Sequence, residues 1–227
     1  MLPPHVQALL DQADVVLASD EAGLGAYAGP LVVSAVLAPK GWAPRVTILT
    51  DSKKMDDAQR RVAAKALIAD ERIWWVTQWT HSPDIDEENV YRSNIRMHTN
   101  VIATGLQHAE VMHAGKRVLA VVDGNLDIPQ AISLPKADLR ILACSAASVL
   151  AKVARDTWMA EKMHPLYPQY GFDKSYGYGV PYHEQALRDH GPCPIHRRSF
   201  DPIARLIRKP DGPNVLDLIE QLAKDDQ

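Results

Sequence analysis

The sequence predicts an α/β domain with a mixed central β-sheet flanked by helices, followed by a smaller helical or loop-rich appendage. Three observations predict it. Apolar runs at 15–19, 30–37 and 117–122 have the length of buried strands. Helical patterns over 56–68, 86–113 and 145–163 are interleaved with them. Two of the runs end on acids, Asp20-Glu21 and Asp123, so negative charge collects at one lip of the sheet. With 227 residues, 46% of them hydrophobic, the chain can bury one large domain, drawn here as 1–165, with 166–227 as the appendage.

The first two runs, joined through the glycine-rich turn Gly23-Leu24-Gly25-Ala26-Tyr27-Ala28-Gly29-Pro30, read as a hairpin-like pair. Asp51-Ser52-Lys53-Lys54 precedes the 56–68 helix, whose acidic first turn suits the helix dipole. Arg72 to Thr80 reads as a strand whose tryptophans pack in the core or at the sheet edge. One long helix is expected from Asp86 to His113, stopped by Gly115. The run 117–122 leads to Asp123-Gly124-Asn125, with Pro135-Lys136-Ala137-Asp138 soon after. The 145–163 helix carries an apolar face and a polar stripe, Ser145, Ser148, Lys152 and Arg155 or Asp156. That stripe reads equally as a ligand-facing or a solvated surface.

Charge narrows the function. The net charge of −3 excludes a protein that grips nucleic acid by bulk charge. Between Lys174 and Lys209, however, seven Lys/Arg face three acids, which suits a polyanionic substrate or an ordinary solvated surface. Cys144 and Cys193 have no metal-ligand spacing; they point to a reducing compartment, and a cytoplasmic location is expected. No apolar run approaches membrane-spanning length, so no membrane association is expected.

Asp20 and Glu21 could simply begin an acidic helix. Alternatively, concentrated negative charge at a sheet end calls for a cation. Successive strand residues face opposite ways, so both acids reach one site only if the strand ends there and the glycines turn the chain. With Asp123 and Asp138 the set is four carboxylates without His or Cys, a choice that selects Mg²⁺ or Mn²⁺ over zinc. Two such ions about 4 Å apart suit in-line hydrolysis of a phosphodiester.

The ordered motifs Asp20-Glu21-Ala22-Gly23-x-Gly25, Asp51-Ser52-Lys53-Lys54, Val122-Asp123-Gly124-Asn125, Lys136-Ala137-Asp138, Ser145 to Val153 with Arg155-Asp156, Gly177-Tyr178-Gly179 and His196-Arg197-Arg198-Ser199-Phe200 resemble ribonuclease HII over nearly the whole chain. The resemblance implies a ribonuclease H-like fold with a C-terminal helical, substrate-binding segment. It implies endonucleolytic cleavage of the RNA strand of RNA–DNA hybrids, or of ribonucleotide-containing duplex DNA, leaving a 3′-hydroxyl and a 5′-phosphate. It makes Asp20, Glu21, Asp123 and Asp138 the catalytic metal ligands. Tyr178 becomes the sensor of the 2′-hydroxyl, the group that distinguishes RNA from DNA. Gly23, Leu24 and Gly25 would line the substrate, with Ser52, Lys53, Ser148, Lys152, Arg197 and Arg198 on backbone phosphates. A monomer is expected. Asp156 is assigned an ion-pairing role, His183 and His196 hydrogen-bonded structural roles, and Cys144 a packed one.

The chain departs from the family where Leu24 replaces an arginine, removing a phosphate contact worth about 1–3 kcal/mol. Tyr176 stands for a lysine and Val180 for a threonine. The first motif also resembles ribonuclease HIII, which lacks that arginine and prefers continuous RNA; its extra N-terminal domain is not expected, since Asp20 lies close to Met1. Weakened cutting at single embedded ribonucleotides follows. The rival readings are a non-catalytic RNA–DNA-binding module and a resolvase-type metal nuclease.

Overall fold

In the computed structural model, which describes residues 2–46 and 55–207, β1 (Val15–Ala22) continues through the acidic pair instead of ending before it. The cause is its neighbour. β2 (Leu31–Pro39) pairs antiparallel with β1 along its whole length, with Asp20 opposite Ser34 and Glu21 opposite Val33. That ladder holds the backbone extended past the apolar run. On the other side β4 (Val118–Asp123) runs parallel to β1, from Val15 opposite Val118 to Ser19 opposite Val122. β3 (Trp74–Thr80) joins β2 and β5 (Ile132–Leu134) joins β4, giving the order β3-β2-β1-β4-β5. The sheet is mixed, as the sequence predicts. Nothing in the pattern announces β5, because three residues cannot display an alternation.

Helices cover both faces. α1 (Pro4–Gln12) precedes β1; α2 (Asp57–Ile68) begins with a capping box in which Asp56 accepts from the Gln59 amide and the Gln59 side chain accepts from the Asp56 amide. α2 and α5 (Leu142–Trp158) lie on one side, where Ala18, Val36 and Val121 meet Ala146, Val149 and Leu150. The other side packs Leu17, Val33 and Val122 against Met97, Val101 and Ile102. There the expected single helix is two, α3 (Ser82–Glu88) and α4 (Val90–Met112). Asn89 breaks it: at φ 73° it ends α3, and its side chain accepts from the Arg92 amide to start α4. α5 starts three residues before the expected Ser145 and passes after Trp158 into a π-helical turn, Met159–Met163.

The tryptophans of β3 divide by face, as a packing role requires. Trp74 stacks on His108, with centroids 4.9 Å apart, while Trp75 and Trp79 are partly exposed at the sheet edge. Beyond α5, α6 (Phe172–Ser175), α7 (Pro181–His190) and α8 (Asp201–Ile207) gather around Met159, Tyr170, Phe172 and Ile203. This third cluster is pinned to the glycine-rich turn by a bridge between Ala28 and His196. No helix among the described residues is long and apolar enough to cross a membrane. Ser52 and Lys53 lie outside the described residues.

Candidate active site

The last register pair of β1 and β4 is Ser19 with Val122, so Asp20 and Asp123 are the next residues on two adjacent parallel strands. Alternation along β1 puts Asp20 on the α5 face with Ala18, and Glu21 on the α4 face with Leu17. The strand therefore does not have to stop for the acids to share a site. They enter one cleft from opposite faces at the sheet's end, beside Asp123. Asp138 sits on a 3₁₀ turn, Ala137–Leu139, buried behind Asp123; the Ala137 amide donates to Asp123 Oδ1 at 2.6 Å.

These carboxylates repel one another. Burial, then the charges of Glu21 and Asp123, push the Asp20 carboxyl well above its ordinary value, against a hydrogen bond from Ser148. Burial and the neighbouring Asp138 likewise raise Asp123. Oxygen-only donors whose mutual repulsion already disfavours ionisation fit a hard divalent cation. Among the described residues, no three such side chains are already gathered around a common point. The electrostatic demand is present, and the ligand sphere is not pre-closed.

The turn between β1 and β2 forms the cleft's rim, and two fully buried arginines hold it. Arg155 donates through Nε to the Pro30 carbonyl (2.8 Å) and through Nη2 to that of Ala28 (3.0 Å). Arg197 donates through Nε to the Gly29 carbonyl (3.0 Å) and through Nη1 to that of Leu24 (3.0 Å). The sequence reading puts Arg197 on backbone phosphates; the structure corrects this, because its guanidinium is fully buried and donates through Nε and Nη1 to backbone carbonyls. Burial and the nearby Arg155 lower it to about 9, so it remains a cation at neutral pH. Gly23 has φ +96° and packs so tightly on Arg155 that any Cβ would collide with that side chain. Leu24 presents a 37%-exposed side chain to the cleft, while Gly25 is exposed. Arg198 is also exposed, with its amide and that of Ser199 donating to Asp86.

The polar stripe of α5 faces inward, not toward solvent. Ser145, Ser148, Arg155 and Asp156 are buried. Lys152 lines the cleft, pairs with Asp156 at 2.9 Å, and lies 5.4 and 5.2 Å from the ring centroids of Tyr176 and Tyr178. Asp156 is thus an ion-pair partner, in the role the sequence assigns it. Ser148 stands against Asp20 in the same cleft. The Tyr178 ring has the Arg155 guanidinium 5.0 Å from its centroid, and its carbonyl accepts from His183 Nδ1 at 2.8 Å. Because the Cys193 amide donates to His196 Nδ1 (2.9 Å), the His196 hydrogen sits on Nε2 and is given to His183 Nε2 (3.0 Å). The chain works only with both rings neutral; burial lowers both, His196 to about 4. Cys144 is fully buried, its thiol on the Ser19 carbonyl.

Two residues at the site carry no signal that sequence reasoning used. Arg60 lines the cleft from α2, pairing with Asp57 at 2.7 Å and donating to the Met55 carbonyl; the Tyr176 hydroxyl donates to the same Asp57 (2.9 Å). Its one-turn distance from the helix start could have indicated it. His98 on α4 is fully buried and contacts Glu21; a lone histidine on an apolar helix face gives no such warning.

The family model described as Ribonuclease HII matches residues 17–203. A relative named Ribonuclease HII from Xanthomonas axonopodis pv. citri is 38% identical over 212 residues, covering 89% of this chain and 82% of the relative. Another of that name, from Bordetella pertussis, is 39% identical over 193 residues, 83% and 90% of the two chains. Among solved structures, the RNase HII of the Archaeoglobus fulgidus PCNA:RNase HII complex superposes with a TM-score of 0.65 at 20% identity, covering 86% of this chain and 98% of that one. Bst-RNase HIII in complex with Mn²⁺ gives 0.66 at 18% identity, covering 90% and 73%. At such identities the structures establish likeness of fold.

Proposed function

The chain belongs to the ribonuclease HII family and is a type 2 ribonuclease H, and from that premise we propose how its site acts on the RNA strand of RNA–DNA hybrids. Asp20, Glu21, Asp123 and Asp138 hold divalent cations, Mg²⁺ or Mn²⁺, and the products carry a 3′-hydroxyl and a 5′-phosphate. The observation that carries this reading is the meeting, in one cleft, of Asp20, Glu21 and Asp123 with Lys152 and Tyr178. When bound, a pair of cations supplies the charge that activates the attacking water and stabilises the leaving oxygen. The chain's own residues do the rest. Tyr178, braced by Arg155 and by the histidine chain behind its carbonyl, packs against the ribose and reads the 2′-hydroxyl. Lys152 and the exposed Arg198 meet backbone phosphates. Residues 166–227 serve as the substrate-binding segment of a monomeric, cytoplasmic enzyme.

Leu24 shapes the preference. The rim offers a donor-free side chain where a cation would hold the strand beside an isolated ribonucleotide, so continuous hybrid is cut better than duplex DNA with one embedded ribonucleotide. A cleavage assay on both substrates, with each metal in turn and end-group analysis of the products, tests the reading. Equal or better cutting of the single-ribonucleotide duplex overturns the preference; products with 5′-hydroxyl ends overturn the chemistry.

A further inference from the structure

Glu21 is the carboxylate that strand geometry serves least. Its neighbour Asp20 faces α5 and accepts from Ser148, but Glu21 leaves β1 toward α4, where Met97, Val101 and Ile102 make an apolar surface. Of the polar side chains buried on that helix, Ser93, Asn94 and His98, it is His98 that meets Glu21. His98 is fully buried, its Nε2 lies 3.3 Å from Glu21 Oε2, and its Nδ1 lies 2.8 Å from the hydroxyl of Ser19, itself fully buried. A carboxylate only accepts, so Nε2 carries the hydrogen in this contact, and the Ser19 hydroxyl can donate to Nδ1. Both ring nitrogens are therefore used in one directed relay from Ser19 through His98 to Glu21. Burying an imidazole among aliphatic side chains costs stability unless both nitrogens are satisfied. Here the satisfaction is aimed at a cleft residue.

We propose that His98, oriented by Ser19, is a positioning residue that fixes the Glu21 carboxylate for its work at the end of β1. This rests on the reading of Glu21 as a metal ligand. The histidine touches neither substrate nor reacting atoms. It removes the rotamer freedom of a long, partly exposed side chain, so that less order has to be imposed when a cation binds. Outer partners of this kind typically change metal affinity or activity by about 10–100-fold.

The test compares wild type with His98→Leu, His98→Gln and Ser19→Ala. Mn²⁺ binding to the substrate-free protein is followed by calorimetry, kcat and KM are measured on a continuous hybrid, and Tm is read without metal. His98→Leu is expected to weaken Mn²⁺ binding and lower kcat by about 10–100-fold with KM little changed. His98→Gln, which keeps a side-chain N–H, recovers most of both. Ser19→Ala shifts both in the same direction by a smaller factor, and decides the matter if His98→Leu does not fold. A folded His98→Leu protein with wild-type Mn²⁺ affinity and kcat overturns this inference alone, as does equal loss in the Leu and Gln variants. Wild-type protein that takes up no Mn²⁺ overturns the metal reading of Glu21 along with it.

Discussion

The cleft has two walls, and each buries charge in an opposite way. On the carboxylate wall, Asp20, Glu21, Asp123 and Asp138 crowd like charges together, and burial and mutual repulsion raise Asp20 and Asp123. On the rim, Arg155 and Arg197 bury two cations completely, yet aim them at the carbonyls of Leu24, Ala28, Gly29 and Pro30. One wall is left in want of a cation and the other supplies its own counter-dipoles. The lesson is that burial of charge does not by itself mark a reactive site. What marks it is whether the structure has already answered the charge.

Substitutions on the two walls should therefore fail differently. Asp20→Asn removes a repelling charge from the first wall. Activity on a continuous hybrid should fall about a thousandfold, the equivalent of about 4 kcal/mol, while Tm without metal rises by a few degrees. A fall in Tm would erase the contrast. Arg155→Met strips donors from two buried carbonyls at about 1–3 kcal/mol each, so Tm should drop by about 5–15 °C. A thermal melt that leaves Tm unchanged would show the rim to be held some other way.

Leu24→Arg sharpens the comparison at the point where the walls face each other. Its side chain is exposed and its carbonyl already held, so a new guanidinium would project from a fixed rim toward the carboxylates. Cutting of a single-ribonucleotide duplex, relative to continuous hybrid, should rise about tenfold, in line with a charged contact worth about 1.5 kcal/mol. The smallest effect concerns pH. His183 and His196 sit below the ordinary value of 6.5, His196 at about 4. Between those values the unfolded chain takes up protons that the folded chain refuses, so stability falls as pH falls from 6.5 toward 4. His196→Phe should flatten that part of a Tm-against-pH curve; an unchanged slope would show that the pair does not set it.

Much of this was legible in the sequence for a physical reason. Strands β1, β2 and β4 bury both faces, so they read as unbroken apolar runs, and the acids at their ends stand out. The ends of elements were less legible because distant partners set them. Only the ladder with β2 carries β1 through Asp20 and Glu21, and only the left-handed backbone at Asn89 divides α3 from α4. At the site, the carboxylates announced themselves by residue type. The fates of Arg197 and His98 did not, since arginine is ordinarily a surface cation and a lone histidine ordinarily carries no address. What fixed both was a contact with chain far away in sequence.

That distance has a consequence for how the enzyme comes into being. Leu24 and Arg197 are 173 residues apart, and Pro30 and Arg155 are 125 apart. As the chain leaves the ribosome, β1 and β2 can pair early, but the loop between them lacks its two arginine anchors until α5 and then the segment after α7 have been made. Asp20 and Glu21 are among the first residues synthesised, and the rim beside them is among the last features completed. A nascent or truncated chain thus carries Asp20 and Glu21 without the arginine-held rim, and the cleft is complete only with nearly the whole polypeptide.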